Sequence, residues 1–385
     1  MPGSGDTFAI AAPAIFDGGD FVRDHCVLVR GDTVQALLPT GDCPRGVELV
    51  ALERGTLAPG FIDLQVNGGG GQMFNNAPAL DTLACIQAAH RSCGTTSLLP
   101  TLLSDTTEQQ CAAVAAVRAA SQANNPGILG IHLEGPFFNA ARRGAHRDRF
   151  IRAPGEEDIA WLCSLQDLRV VLTLAPEQFT LAQIARLADS GIVLCAGHTQ
   201  ASYSEMVDAA KAGLGGVTHL YNAMSPLTAR EPGTVGAALD IDALWASVIA
   251  DGHHVSPANI RLAQRAKPAG QLLLVSDAMA TVGCDDDSFE LYGETIREHR
   301  GALVNGEGKL AGSAIGLIQA VAYAAGDVGI PLAQCLRMAS LYPAAVLGLD
   351  QGLGRISAGY RADLVHFDED FRVHHTWVAG QRLQH

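Results

Sequence analysis

Between residues 61 and 276 the chain repeats one pattern: a short apolar run, a polar break, then a stretch that reads as helix or loop. The runs are Phe61–Val66, Thr96–Pro100, Ile128–Leu133, Val170–Leu174, Ile192–Ala196, Gly216–Leu220, Ser247–Ala250 and Leu272–Ser276. Helical candidates between them include Ala79–Ser92, Thr107–Ala123, Leu181–Ser190 and Tyr203–Ala212. Strands that are apolar on both faces and alternate with helices indicate a parallel sheet with its outer face covered. Eight such units predict a (β/α)₈ barrel of the TIM type. A doubly wound sheet is the competing fold, but no Gly-x-Gly-x-x-Gly follows the first strand and opens a helix.

The two ends of the chain have a different texture. Ala9–Phe16, Cys26–Arg30 and Thr33–Leu38 read as strands broken by Asp17-Gly18-Gly19-Asp20 and Gly31-Asp32. Asp363–Phe367 and Thr376–Val378, with the Ala379-Gly380 turn, repeat that texture near the C-terminus. A small β-sandwich domain built from residues 1–57 and 354–385 is therefore expected beside a central domain of 58–353. With 48% hydrophobic and 17% charged residues, the 385-residue chain is globular rather than disordered.

Its 26 basic and 40 acidic residues give a net charge of −14. That sign disfavours nucleic acid as a partner, because phosphate backbones need clustered Lys and Arg. One or two local cations would still suffice for a small phosphorylated ligand. The nine cysteines form no Cys-x-x-Cys pair and several sit in apolar runs, so buried free thiols are expected. No run reaches the roughly 18 apolar residues that span a bilayer, and no basic residues precede the first apolar patch. A cytoplasmic protein without a membrane partner is the expectation.

In a barrel, chemistry belongs at the C-terminal ends of the strands. Six of the eight predicted ends carry His, Asp, Glu, Gln or Asn directly after the apolar run. Among these, Glu134, His198 and His219 form a metal set. One carboxylate and two imidazoles suit Zn²⁺ and leave a position open for water, whose pKa the metal would lower to around 7. The plainer alternative is three hydrogen-bonded core side chains. Asp277, just beyond the apolar Leu272–Val275, suits a general base; alone it would read first as a helix N-cap before Ala278-Met279.

Other motifs say less. The glycine run 68–71 lacks the Gly-Lys-Ser/Thr of a phosphate loop and reads as a tight turn near a ligand. Arg142-Arg143 and Arg230 lie in loops and are either solvated or aimed at an anionic group. His253-His254, at a strand end, is the better functional candidate of the two vicinal pairs; His374-His375, in the terminal sheet, reads as surface decoration.

Pro59–Gly68, His132–Pro136, Gly197–Thr199, Thr218–Met224, Ser276–Ala278 and Gly359–Val365 together resemble the amidohydrolase superfamily, and within it the N-acetylglucosamine-6-phosphate deacetylase family. The resemblance covers nearly the whole chain. It implies metal ligation by Glu134, His198 and His219, one divalent cation per subunit (Zn²⁺, with Fe²⁺, Mn²⁺ or Co²⁺ as alternatives), and Asp277 as acid/base. It further implies substrate contacts from Ala145, His146, Asn222, Ala223, Arg230, His254 and the turn Leu310, Ala311, Gly312, Ser313. A homodimer whose phosphate pocket borrows cations from the neighbouring subunit is also implied. Many superfamily members carry His-x-His on the first strand for a second metal, whereas this chain has Gln65 and Asn67 there, and amides are poor substitutes for imidazole. The fourth strand ends without a Lys, so a bridging carboxylated lysine is not expected either.

The expected reaction is hydrolysis of the N-acetyl group of a phosphorylated amino sugar, with loop 139–151 as a candidate cover. A cyclic-amide hydrolase, or a deacetylase for another amino sugar, would keep the same metal set. A barrel retained only as a binding module would not bind metal or release acetate.

Overall fold

The computed structural model describes residues 7–385, so the first six residues of the expected small domain lie outside it. Eight parallel strands form one sheet: β1 (Phe61–Val66), β2 (Thr95–Leu103), β3 (Ile131–Glu134), β4 (Val170–Leu174), β5 (Val193–Ala196), β6 (Gly216–Val217), β7 (Trp245–Ile249) and β8 (Leu272–Val275). They stand side by side in chain order, which a doubly wound sheet does not allow. Closure between β8 and β1 uses no regular ladder. Val66 and Ala278 form a parallel bridge, the Asp277 N–H donates to the Gln65 carbonyl (3.0 Å), and Asn67 and Gly68 N–H groups both donate to the Ala278 carbonyl (2.9 and 3.0 Å). The fold is a TIM-type barrel.

The strands are buried on both faces, the inner by side chains filling the barrel and the outer by helices. Those helices are α1 (Leu80–Arg91), α2 (Thr107–Gln122), α3 (Glu156–Cys163), α4 (Leu181–Asp189), α5 (Tyr203–Lys211), α6 (Gly233–Asp240), α7 (Pro257–Ala266) and α8 (Leu317–Gly326), followed by α9 (Leu332–Ala339) and α10 (Leu341–Val346). Local sequence starts several of them. The Thr180 hydroxyl accepts the Gln183 N–H ahead of α4, Ser202 accepts the Glu205 N–H ahead of α5, and Ser256 precedes Pro257 at the first position of α7.

Several elements differ from the sequence reading: β2 extends to Leu103, β7 starts at Trp245, and the Ala9–Phe16 run is two strands, Thr7–Ala11 and Ala14–Phe16. The third strand starts at Ile131, since Ile128 makes only an isolated bridge to Leu98. The sixth stops at Val217, because His219 turns into the left-handed region (φ 31°) and leaves the ladder. An antiparallel sheet of Ser288–Leu291, Glu294–His299 and Ala302–Val304, inserted after β8, was not anticipated at all. Its two connections, Tyr292-Gly293 and Arg300-Gly301, both take positive φ at both residues, the conformation of a tight two-residue hairpin turn.

The chain ends form two further sheets. Strands Thr33–Pro39, His25–Arg30, Thr7–Ala11 and Glu48–Ala51 make one. The other runs Gln381–Gln384, Val373–Val378, Leu364–Phe367, Thr56–Pro59, Ala14–Phe16, Phe21–Val22. The strand period of two divides the second sheet's loyalties. Leu57 and Leu364 join Ile10, Val27 and Trp377 in the core of the sandwich, while their neighbours Ala58 and Val365 pack into the barrel's core.

Candidate active site

Glu134 ends β3, and its Oε1 lies 3.2 Å from His198 Nε2 and 3.1 Å from His219 Nε2; the two imidazole nitrogens are 3.1 Å apart. All three side chains are buried. Among the described residues this is the one cluster of three or more acidic, His or Cys groups placed to hold a metal ion. The His198 Nδ1–H donates to the Arg142 carbonyl (2.8 Å), which leaves the Nε2 of a neutral ring with its lone pair facing the cluster. Three acceptors converging on one point fit a divalent cation. Against the upward push of burial, the two imidazoles hold the Glu134 carboxyl well below the usual range, so it is an anion.

Gln65 and Asn67 are committed elsewhere. The Gln65 amide N–H donates to Glu134 Oε1 (3.0 Å) and its carbonyl accepts the Thr218 hydroxyl (2.7 Å). Asn67 donates to Asp277 Oδ1 (2.7 Å). Asp277 caps no helix, since the next one begins at Leu317; its carboxylate instead faces the cavity beside the metal-type cluster. Burial, reinforced by Glu134, pushes the Asp277 carboxyl up to about 6.

His198, His219, Ala223 and Asp277 all have positive φ (50°, 31°, 50° and 53°). Non-glycine residues rarely adopt this region and persist there where surrounding structure forces them, commonly at functional sites. The rings are wedged as well. Phe138 stacks on His198 with centroids 4.4 Å apart, and His146 meets His198 edge-on at 4.5 Å. His146 Nδ1 accepts the Ser104 N–H (3.1 Å), so the neutral ring carries its proton on Nε2. Burial and the neighbouring His198 push that imidazole down to about 3, so it is neutral.

One cavity of about 190 Å³ gathers most of the expected residues. Glu134, His198, His219, Asp277, Ala145, His146, Asn222, Ala223, His254, Leu310 and Gly312 line it. Three expected contacts do not. Ala311 is buried in a small apolar cluster with Met73, Leu103 and Met279. Ser313 supports the site from behind: its hydroxyl donates to the Ser276 carbonyl (2.5 Å) and its N–H to the Asp277 carbonyl (2.9 Å). Arg230 is exposed and does not line the cavity of its own chain. His254 is tied to Asp251, with Nδ1 2.6 Å from Oδ2, a pairing that the sequence reading missed. Leu103, Gly144, Ile249 and Met279 also line the wall and were not anticipated. Loop 139–151 forms part of the roof and is pinned to the inserted sheet by Arg147–Glu294 (2.7 Å) and by Phe150 against Tyr292.

The sequence profile of the amidohydrolase family matches residues 56–383. The chain belongs to the amidohydrolase family. This amidohydrolase is 45% identical over 372 residues to the N-acetylgalactosamine-6-phosphate deacetylase of Shewanella sp. (strain ANA-3), covering 94% of this chain and 92% of that one. It is 34% identical over 377 residues to the N-acetylglucosamine-6-phosphate deacetylase of Haemophilus influenzae, covering 97% and 98%. Among solved structures, the N-acetylglucosamine-6-phosphate deacetylase of Pasteurella multocida superposes with a TM-score of 0.96 at 38% identity, covering 98% of this amidohydrolase and all of that chain. No helix among the described residues is long and apolar enough to cross a membrane.

Proposed function

We propose that this amidohydrolase removes the acetyl group of N-acetylglucosamine 6-phosphate, giving glucosamine 6-phosphate and acetate. The observation that carries the reading is the single cavity in which a buried Glu/His/His cluster faces an Asn67-held Asp277. The names of its close relatives supply the substrate class.

Glu134, His198 and His219 would hold one divalent cation, most naturally Zn²⁺. Bound there, it would supply Lewis acidity, lowering the pKa of a water and polarising a carbonyl oxygen. Asp277 accepts the proton of the attacking water and returns it to the departing sugar nitrogen. The Asn67 amide aims that carboxylate through Oδ1 and leaves Oδ2 for the proton. His146, neutral with its proton on Nε2, donates to the acetyl oxygen as negative charge develops there. Asn222, Ala223, His254 and the Leu310–Gly312 turn orient the sugar, so that binding far from the scissile bond becomes alignment.

The phosphate needs a cation, and Arg230 stands outside its own chain's cavity. We assign it to the neighbouring subunit's site in a homodimer. In this reading residues 58–353 carry the chemistry and the sandwich of 1–57 and 354–385 acts as scaffold. The nine free thiols suit a cytoplasmic enzyme.

A second reading, the galacto epimer as preferred substrate, is favoured by the 45% relative. Acetate release should be measured from both epimers' N-acetyl 6-phosphates and from the unphosphorylated sugars, before and after chelation and metal return. Release from the gluco 6-phosphate that disappears with the metal and returns with it is the expected result. Faster release from the galacto 6-phosphate would favour the second reading. No release from either 6-phosphate after reloading overturns both.

A further inference from the structure

The vicinal histidines of the terminal sheet are not decoration. Val373–Val378 lies between Leu364–Phe367 and Gln381–Gln384, placing His366 opposite His375 and His375 opposite Gln384. With Arg54 and the residues after Trp377, these strands enclose a cleft of about 250 Å³. Arg54, His366, His374, His375, Arg382 and His385 line it, and Glu53 is the one acid in its lining. In a chain of net charge −14 this is a local reversal of sign.

The hydrogen bonds fix where the protons are. The Arg54 carbonyl only accepts, so His366 donates to it through Nε2 (2.8 Å). His366 Nδ1 therefore accepts from His375 Nδ1–H (3.2 Å), and His375 Nε2 accepts from Arg382 Nη2 (2.7 Å). His374 donates to Asp368 through Nε2 (2.9 Å). Asp368 is itself buried, and its Oδ1 is occupied by the Arg372 and Asp370 N–H groups. Arg91, reaching over from α1, donates to Thr376 Oγ1, which also meets His385 Nε2 (2.9 Å each). Among the described residues Arg382 has no carboxylate within 4 Å; an imidazole stands where its anionic partner would be.

We propose that this cleft binds a tetrahedral oxyanion of the phosphate class, at a site separate from the barrel cavity. Two guanidiniums supply charge-assisted N–H donors on a rigid sheet, the guanidinium fork matches phosphate oxygens, and the imidazoles beside them add donors as they gain protons. A metal cation is disfavoured there. His366, His374 and His375 have each committed Nε2, and the arginines repel positive charge.

Binding is linked to protonation. Burial and then Arg382 push His375 down to about 4, and burial also lowers His366 and His385. An anion among these groups favours their charged forms, so its affinity rises as pH falls. Asp368 favours protonation of His366 but, like Glu53, repels the anion, whereas Arg91 and Arg382 oppose protonation of the imidazoles and attract the anion.

Sulfate is the test probe, since it keeps its double charge across the pH range. Calorimetric titration of the metal-loaded protein should find sulfate binding tighter at about pH 5.5 than at about pH 8. Arg382→Ala should weaken it about tenfold, the loss of one charge-assisted hydrogen bond. Arg54→Ala should weaken it less, because that 62% exposed side chain already shares its charge with Asp368, 3.6 Å away. Acetate release should be unchanged in both variants. Inorganic phosphate and glycerol 3-phosphate, titrated separately, distinguish free orthophosphate from a phosphoryl group on a carrier, and binding of either that Arg382→Ala weakens supports the site, whereas binding that Arg382→Ala leaves unchanged belongs to the barrel cavity and overturns it. Sulfate affinity that is the same in wild type and both variants, or that does not change with pH, overturns the proposal.

Discussion

Asp277 and Asp63 are both buried carboxyls near the closure of the barrel, yet their surroundings give them different work. Asp277 Oδ1 takes the Asn67 amide and the group faces the cavity. Asp277→Asn should keep metal content and melting temperature while kcat falls by about 10²–10⁴; normal turnover would remove it from the mechanism. Asp63 Oδ1 accepts the Gln65 and Ser276 N–H groups at 3.2 and 3.3 Å, whereas Oδ2 is buried without a partner. Burial pushes this carboxyl up to about 7 from 3.8. Between those two values the folded chain keeps a proton that the unfolded chain has released, so Asp63 lowers stability as pH rises through that window. Asp63→Asn keeps the Oδ1 acceptor and removes the titration. Denaturant unfolding from pH 5 to pH 8 should show a flatter stability profile in the variant, by on the order of 3 kcal/mol. The metal-type residues and Asp277 were legible in the sequence because a polar residue directly after an apolar run is conspicuous. Asp251 shares that signal, but its pairing with His254 did not show, and Met279 and Leu103 were not legible, because a contact between loop residues or across the cavity is something periodicity does not encode.

Strands and helices were legible wherever burial repeated: β1, β4 and the bodies of α1, α2, α4 and α5 lie within a residue or two of their expected bounds. The inserted sheet escaped because its strands are short, largely polar and exposed, leaving only the Tyr292-Gly293 and Arg300-Gly301 turns as signals. The β5–His198 junction shows how closely an element can be fitted to its chemistry. A Cβ on Gly197 would lie 2.6 Å from Thr173 Cγ2, on β4, and 2.7 Å from Thr218 Cγ2, the residue after β6. Gly197→Ala must therefore push β4 or β6 aside, costing about 1–3 kcal/mol. It also displaces His198 and, through Thr218, the Gln65 that contacts Glu134. Weaker metal retention under dialysis against a chelator, with secondary structure retained, is the expected outcome.

On the scale of the whole molecule, sandwich and barrel share a sheet. Arg91 reaches Thr376, Arg361 binds Ser97 and Asp363, and Arg337 donates to the Gly19 carbonyl (2.7 Å). Deleting 354–385 would uncover Leu57 on one face and Ala58 on the other, and strip Thr56–Pro59 of its Leu364–Phe367 neighbour. The truncated chain should appear in the insoluble fraction, with no soluble metal-loaded barrel by gel filtration. That two distant ends build one sheet was visible in their shared texture; its packing against the barrel was not, because Ala58 and Val365 look like any other strand residues.

The barrel's weakest seam lies at its mouth. Between β8 and β1 a handful of bonds from Asp277 and Ala278 replace a full ladder, and thermal opening should begin where the ladder is thinnest. Heat should therefore silence this enzyme before it melts it. Activity would fade several degrees below the loss of helical signal and return on cooling, with the amides of Asp277 and Ala278 exchanging early, as the aspartate swings away from a cylinder still standing.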